Sequence, residues 1–259
     1  MAKIFLDEPF ASLWKNKDVF GEIAILSGEE FRRVKSRRTF RTEVNGRGFF
    51  IKHHLGVGWG EIIKNLLQFK KPVTGARGEF EAIRMLEKAG VPTMTCAGFG
   101  ERFFNPAAKE SFIITRELAG MVSLEELFAT GNVDLSTRRE IIRRLGKSVG
   151  KMHAAGVNHR DCYICHFLRS SETGELHVID LHRAQIRKRV PFRYAVKDVA
   201  GILFSSLDLS LTYRDIALFY REYKKAGNKD SKAFRSAVLK TAQKLYFKEF
   251  RRVAPQIKR

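Results

Sequence analysis

Cysteine is scarce in this chain, with Cys96, Cys162 and Cys165 the three among 259 residues. That excludes a disulfide framework and fits a reducing compartment. No apolar run approaches the about 20 residues that a membrane-spanning helix needs. The opening MAKIFLDEPF carries Asp7 and Glu8 and has no long apolar stretch, so it does not read as a secretory signal. Internal repeats and low-complexity tracts are absent. Acidic residues are also in short supply: 28 Asp and Glu stand against 48 Lys and Arg, a formal net charge of +20. Such an excess favours an anionic partner, whether nucleic acid, anionic lipid, phosphorylated glycan or acidic protein, and does not choose among them. What is present in quantity is core material, 44% hydrophobic and 11% aromatic, enough in 259 residues for one large domain or two lobes. The expected location is cytoplasmic, free or attached to a membrane surface.

The stretch NHRDCYICHF, residues 158–167, organises the rest. A His-Arg-Asp triplet with a polar residue five positions after the aspartate is how a kinase catalytic loop is spelled. Phosphoryl transfer asks for a carboxylate beside the attacking hydroxyl and for groups that hold metal on the phosphates. Asp161 is the expected carboxylate, and Asp180, ending the short strand LHVID, the expected metal ligand. His166 stands where most kinases place asparagine. The same letters contain Cys162-x-x-Cys165-His166, the spelling of haem attachment. With no second Cys/His pair at ligand spacing, a haem or structural zinc site is the weaker reading.

Upstream, residues 1–30 read as a leader with a helical turn or two. EEFRRVKS, TFRTEVNG and GRGFFIKHH then read as three antiparallel strands, the last two joined at Asn45-Gly46, a strong hairpin signal. Lys52 near the end of the third occupies the place of the phosphate-binding lysine. Its expected partner lies on the helix GEFEAIRMLEKAG, residues 78–90. Phe80, Ile83 and Leu86 share one helical face; Glu79 falls close to that face and Glu81 nearly opposite. Glu79 is therefore assigned to Lys52, and Glu81 to solvent. GVGWG, at 56–60, leads a short extra helix and is not a phosphate loop. The connection between strands one and two, near VKSRRTF, has no glycine, so Arg37 and Arg38, with Ser36, are expected to hold phosphate by side-chain charge.

SFIITRELAG, residues 111–120, reads as a strand and connector whose Glu117, Leu118 and Ala119 would meet adenine. The helix over DLSTRREIIRRLGKSVGKMHAAGV begins with a Thr137/Glu140 capping box and carries an apolar stripe from Ile141 to Met152. His153 on that stripe reads as a core histidine. RAQIRKRVPFRY, residues 183–194, stands where an activation or substrate segment would. Asp198 opens the next helix, either as a plain cap or as a tether for the catalytic loop. The basic tail is helical. The fold class is α+β and bilobal: a small antiparallel lobe over 1–115, a connector at 116–120, and a mostly helical lobe over 121–259.

The runs NHRDCYICHFL and VIDLHRAQIRKRVP, with GEFEAIRMLEKAGVPTM and FIITREL, closely resemble the lipopolysaccharide core heptose(I) kinases of Gram-negative bacteria, the WaaP or RfaP type. The resemblance runs almost end to end. It implies a protein-kinase-like fold, ATP and Mg²⁺ as cofactors, and phosphorylation of the first heptose of the inner core, at O-4, on the inner face of the inner membrane. It implies roles for Asp161 as base, Lys52 on phosphate and Asp180 on metal, with His166 in the asparagine's place as a second metal ligand or, alternatively, hydrogen-bonded to Asp161 or Asp180. The implied partners are the lipid A-core acceptor and the anionic membrane surface; the charge excess leaves an acidic protein open as a further one. Nucleic acid is not expected, since no RRM, KH or C2H2 pattern is present. A protein kinase using tyrosine or serine hydroxyls, and a non-catalytic kinase-like scaffold, are the competing readings.

Overall fold

The computed structural model describes residues 2–34, 36–68, 72–103 and 105–258. The chain divides into two compact units, residues 1–83 with 94–119 and residues 84–93 with 120–259.

The first unit is built on a six-stranded antiparallel sheet. Its elements are β1 (Lys3–Leu6), α1 (Phe10–Leu13), α2 (Val19–Ile25), β2 (Glu29–Val34), β3 (Arg37–Val44), β4 (Arg47–His54), α3 (Gly58–Leu67), the start of α4 (Arg77–Lys88), β5 (Cys96–Arg102) and β6 (Glu110–Arg116). Strand order is β1-β5-β6-β4-β3-β2. Asn45 and Gly46, with φ of 52° and 70°, make the tight turn between β3 and β4. Alternation along those strands sends Phe40, Phe49 and Ile51 inward against Phe10, Trp14, Phe20 and Phe112. The leader holds a strand that the sequence reading missed: β1 pairs with β5, Lys3 opposite Glu101 through Leu6 opposite Gly98. KIFL is four residues long and largely exposed, too short to show a period.

The second unit is mainly helical: β7 (Met121–Ser123), α5 (Leu124–Ala129), α6 (Leu135–Ala154), β8 (Val157–Asn158), β9 (Phe167–Ser170), β10 (Leu176–Val178), β11 (Gln185–Ile186), α7 (Phe192–Ser206), α8 (Tyr213–Lys225) and α9 (Lys232–Phe250). Helix α6 packs on α8 and α7 on α9. Residues 84–93 join this unit through β10: Val178 N–H donates to the Pro92 carbonyl at 2.9 Å, and Thr93 Oγ1 to the Val178 carbonyl at 2.6 Å. The stripe Ile141, Ile142, Leu145, Val149 and Met152 is buried.

One expected cap and one expected helix start are wrong. Asp134, not Thr137, caps α6, accepting from the Ser136 and Thr137 N–H groups and from the Thr137 hydroxyl. A carboxylate offers more lone pairs than a threonine hydroxyl, and Glu140 turns to Arg144 instead. Helix α7 begins at Phe192 after Pro191, six residues before Asp198, which is buried inside the helix. Proline's fixed φ presets that start.

Candidate active site

Lys52 stands on β4, opposite Thr39 of β3 and Ile113 of β6. Its Nζ donates to Glu79 Oε1 at 2.8 Å. The Glu79 side chain is 2% exposed, and burying a carboxylate at such a place requires a paired cation. Glu81, exposed as the helical rotation predicts, meets Arg77 instead. Arg38 is more tightly held than expected. Its Nε donates to Glu30 at 2.7 Å, its Nη1 to the Leu26 carbonyl at 2.9 Å, and its guanidinium covers the Phe40 ring. The two bonds fasten β2 and the end of α2 to β3 and leave Nη2 as the guanidinium nitrogen without such a duty among the described residues. Arg37 lies in the β3 ladder between Val34 and His54; Lys35, in the same glycine-free connection, lies outside the described residues.

Glu117 is also more tightly held than expected. Its carboxylate takes both arms of Arg41 at 2.8 Å each, and those hydrogen bonds hold its carboxyl below the usual range. Its N–H donates to the Gly48 carbonyl at 2.9 Å, so that donor is not available to a purine. Leu118 is half-buried and Ala119 exposed.

In the second unit the loop that follows β8 is fixed from below by Asp198. This buried carboxylate accepts from the N–H groups of His159 (2.7 Å) and Arg160 (2.9 Å) and from His153 Nε2 (3.2 Å). With His153 Nε2 donating, its Nδ1 accepts from the Tyr223 hydroxyl at 2.9 Å. The tether sense of Asp198 is therefore the geometry present, and His153 is a core histidine with a job: it anchors Asp198. Arg160 and Asp180 adopt left-handed φ of 74° and 57°. Non-glycine residues are held there only when surrounding bonds over-determine them, a pattern that clusters at active sites. His159 is fully buried, Nε2 donating to the Ile179 carbonyl at 2.9 Å. Burial pushes its pKa down.

Asp161 points both carboxylate oxygens at Arg183 Nη1, 2.7 and 2.9 Å away. His166 Nδ1 lies 2.7 Å from the Asp161 carbonyl oxygen. That contact requires the proton on Nδ1 and turns Nε2 toward Asp180 Oδ2, 3.8 Å away. The other oxygen of Asp180 accepts from His182 Nδ1 at 2.7 Å. Sequence reasoning missed Arg183 and His182. Only their places, three and two residues after the expected metal ligand Asp180, could have drawn attention to them.

Among the described residues no group of three or more His, Cys, Asp or Glu side chains is disposed to hold a metal ion. Mg²⁺ bound with nucleotide needs fewer: it uses one or two carboxylates and takes its remaining ligands from phosphate and water. Asp180 fits that demand. A ring nitrogen such as His166 Nε2, which faces it, is a softer donor than Mg²⁺ prefers and suits the periphery of an oxygen site. The Cys162/Cys165 pair is poorly suited to metal or haem. Cys162 is buried, its thiol pushed well up by desolvation, and desolvation pushes the Cys165 thiol up to about 11, whereas ligation needs thiolate.

An antiparallel sheet presenting a lysine to a buried glutamate, and a His-Arg-Asp loop tethered by a buried aspartate on the next helix, are the parts of a phosphotransferase of the kinase class. Residues 22–223 match the family described as lipopolysaccharide kinase (Kdo/WaaP). The chain is 49% identical over 230 residues to the lipopolysaccharide core heptose(I) kinase WaaP of Pseudomonas aeruginosa PAO1, spanning 85% of this chain and 86% of that one. Against the Escherichia coli protein of the same name it is 48% identical over 234 residues, 87% of this chain and 88% of the other. A solved structure of WaaP in complex with acyl carrier protein matches with a TM-score of 0.80 and 40% identity over 94% of this chain and 99% of that one. The chain belongs to the lipopolysaccharide kinase (Kdo/WaaP) family, and the α+β fold expected from the sequence is the one it has.

Proposed function

We propose that this protein transfers the terminal phosphoryl group of ATP to O-4 of the first heptose of the lipopolysaccharide inner core. The observation that carries the reading is the Asp161 loop, held by Asp198 through two backbone N–H groups, in a chain 49% identical to a heptose(I) kinase. In the reaction the heptose hydroxyl oxygen bonds to the terminal phosphorus, and the bond to the bridging oxygen of ADP breaks. The hydroxyl proton passes to Asp161. Lys52, kept extended by Glu79, places its ammonium on the nucleotide phosphates. Asp180 holds Mg²⁺ when bound, which offsets charge on the phosphates, and the Nδ1–H of His182 keeps its carboxylate oriented. Catalysis of this kind is chiefly positioning and charge stabilisation.

The acceptor is membrane-embedded, and among the described residues no helix is long and apolar enough to cross a membrane. The reading therefore places the protein peripherally on the inner face of the inner membrane. The net charge of +20 supports it, because each basic residue near an anionic surface contributes about 1 kcal/mol. The exposed Phe247, Phe250 and Val253 among the tail's cations suit an interface. The same charge suits an acidic protein, and an acyl carrier protein is the natural candidate from the solved relative.

The test is to incubate purified protein with Mg·ATP and core oligosaccharide lacking heptose phosphate, and to locate the new phosphate by mass spectrometry and phosphorus NMR. Phosphate on O-4 of the first heptose is expected. Phosphate elsewhere, or on protein alone, contradicts the reading.

A further inference from the structure

The residues after Asp180 form a run of cations of which only Arg183 is engaged by Asp161. Arg183, Arg187, Lys188 and Arg189 lie within seven residues of one another. Arg187 lines a groove of about 1160 Å³, closed on its other sides by the end of α6, the start of α7 and the turn between α8 and α9. Lys188, Arg189 and Lys229 line the same groove and are exposed. Among the described residues none of these three has an ion-pair partner. Asp230, the carboxylate next along the chain from Lys229, is taken by Arg235, so it does not offset them. Arg187 itself bonds to Asn158 and Gln185 and covers the Tyr194 ring, which holds its charge at the groove wall.

The run of charge continues to Asp161. Arg160 is half-buried, and its side chain has no ion-pair partner among the described residues. Desolvation lowers its pKa first, and the nearby Arg183 adds to that; Arg187 contributes in the same sense. Asp161 offsets Arg183 and Arg160, so the cations left without a carboxylate among the described residues are Lys188, Arg189 and Lys229 in the groove, and these are open to an anion. The groove exceeds the roughly 300–1,000 Å³ of an ordinary small-molecule site, so it suits an oligosaccharide better than a single sugar.

We infer that this groove is an acceptor subsite: Lys188, Arg189 and Lys229 bind the oxyanions, carboxylate or phosphate, of an anionic oligosaccharide and so bring its neighbouring hydroxyl to Asp161. The inference rests on the sugar-kinase reading and names the chemistry of its acceptor. Charge complementarity calls for an anion, and the heptose-kinase reading makes that anion the acceptor oligosaccharide.

The experiment titrates deacylated, phosphate-accepting core oligosaccharide into the full chain by calorimetry, with no turnover. It compares the wild type, the triple variant K188A/R189A/K229A and the conservative K188R/K229R. The expected result is a Kd at least tenfold higher for the triple variant and near wild type for the conservative one, with nucleotide affinity unchanged. The salt slope of log K should flatten in the triple variant. Carboxyl-reduced and phosphatase-treated oligosaccharides, run separately against the wild type, assign the oxyanion, and at least one of them should bind more weakly. Three outcomes overturn the inference: no binding by the wild type, binding by the triple variant within twofold of it, or a triple-variant defect confined to anionic vesicles, which makes the groove a membrane contact. Phosphate transfer is read separately. Binding in the groove without transfer to heptose ends the sugar-kinase reading alone, and transfer without groove dependence ends the subsite alone.

Discussion

Arg183 Nη1 lies within 3 Å of both carboxylate oxygens of Asp161, at 2.7 and 2.9 Å. The side chain assigned as base is thus oriented by a cation from the segment that follows Asp180. Single-nitrogen contact with both oxygens fixes the carboxylate plane without enclosing it. An acceptor hydroxyl can still approach the outer lone pairs.

Arg183→Ala should therefore lower kcat by about ten- to a hundredfold, since misplacing a reacting group by an ångström costs on that order. Nucleotide affinity should hold, because Arg183 has no part in the Lys52 pair. Arg183→Lys should recover part of the loss. Steady-state kinetics with both substrates varied gives the answer. An effect confined to KM for ATP would contradict the assignment.

Glu79→Gln tests the first unit. The substitution keeps the shape and removes the charge that draws Lys52 Nζ to 2.8 Å. We expect KM for ATP to rise about tenfold, with a stability loss of about 1–2 kcal/mol from the buried partner change. Nucleotide titration and denaturant melts measure the two effects. The neighbouring Glu81→Gln, exposed on the opposite face, should do neither.

Gly201, in α7, packs directly under the catalytic loop. A Cβ there would come within 2.6 Å of the Cys162 carbonyl oxygen. Backbone against backbone leaves little room to yield, so Gly201→Ala should cost about 1–3 kcal/mol and displace the loop that carries Asp161. The expected signature is a lower Tm together with reduced kcat at temperatures where the variant is fully folded. An intact kcat would show that the loop tolerates the shift.

The pH dependence of stability follows from His159 and His177, whose pKa values burial pushes down from 6.5. A depressed histidine binds fewer protons folded than unfolded between its folded and unfolded pKa values. Stability is then fully present above about pH 6.5 and falls as pH drops through that window, by up to about 1.4 kcal/mol per unit for each group. Melting curves from pH 7.5 to pH 5 should show a falling Tm. His177→Gln should lessen the slope. A flat profile would contradict the burial of these rings as uncharged groups.

Much of this was legible in the letters, for physical reasons. The hairpin rests on Asn45-Gly46, whose backbone requirement is local. The Lys52–Glu79 contact followed from helical rotation, which places Glu79 with Phe80 and Ile83 and sends Glu81 outward. Three features were not legible. Strand β1 pairs with β5, about 95 residues away, and a four-residue segment carries no periodic signal of that. The occupation of Arg38 by Glu30 and of Glu117 by Arg41 depends on strand register, which places those charges side by side only once the sheet has formed. The start of α7 was misplaced because Asp198 resembles a cap, whereas its carboxylate is spent on the backbone of His159 and Arg160. Arg183 was invisible for the same kind of reason, since nothing in RAQIRKRVPFRY distinguishes the cation that turns back to Asp161 from those that line the groove.

The most direct measurement is single-turnover transfer from ATP to the first heptose by the wild type and by Asp161→Asn, with nucleotide binding measured in parallel. Removing the proton acceptor while keeping its shape should slow transfer by at least about a hundredfold and leave ATP affinity within about twofold of the wild type, since Asp161 is not assigned to the nucleotide. Transfer by the variant at a rate close to that of the wild type would contradict the assignment of Asp161 as the base and, with it, the mechanism built around that side chain.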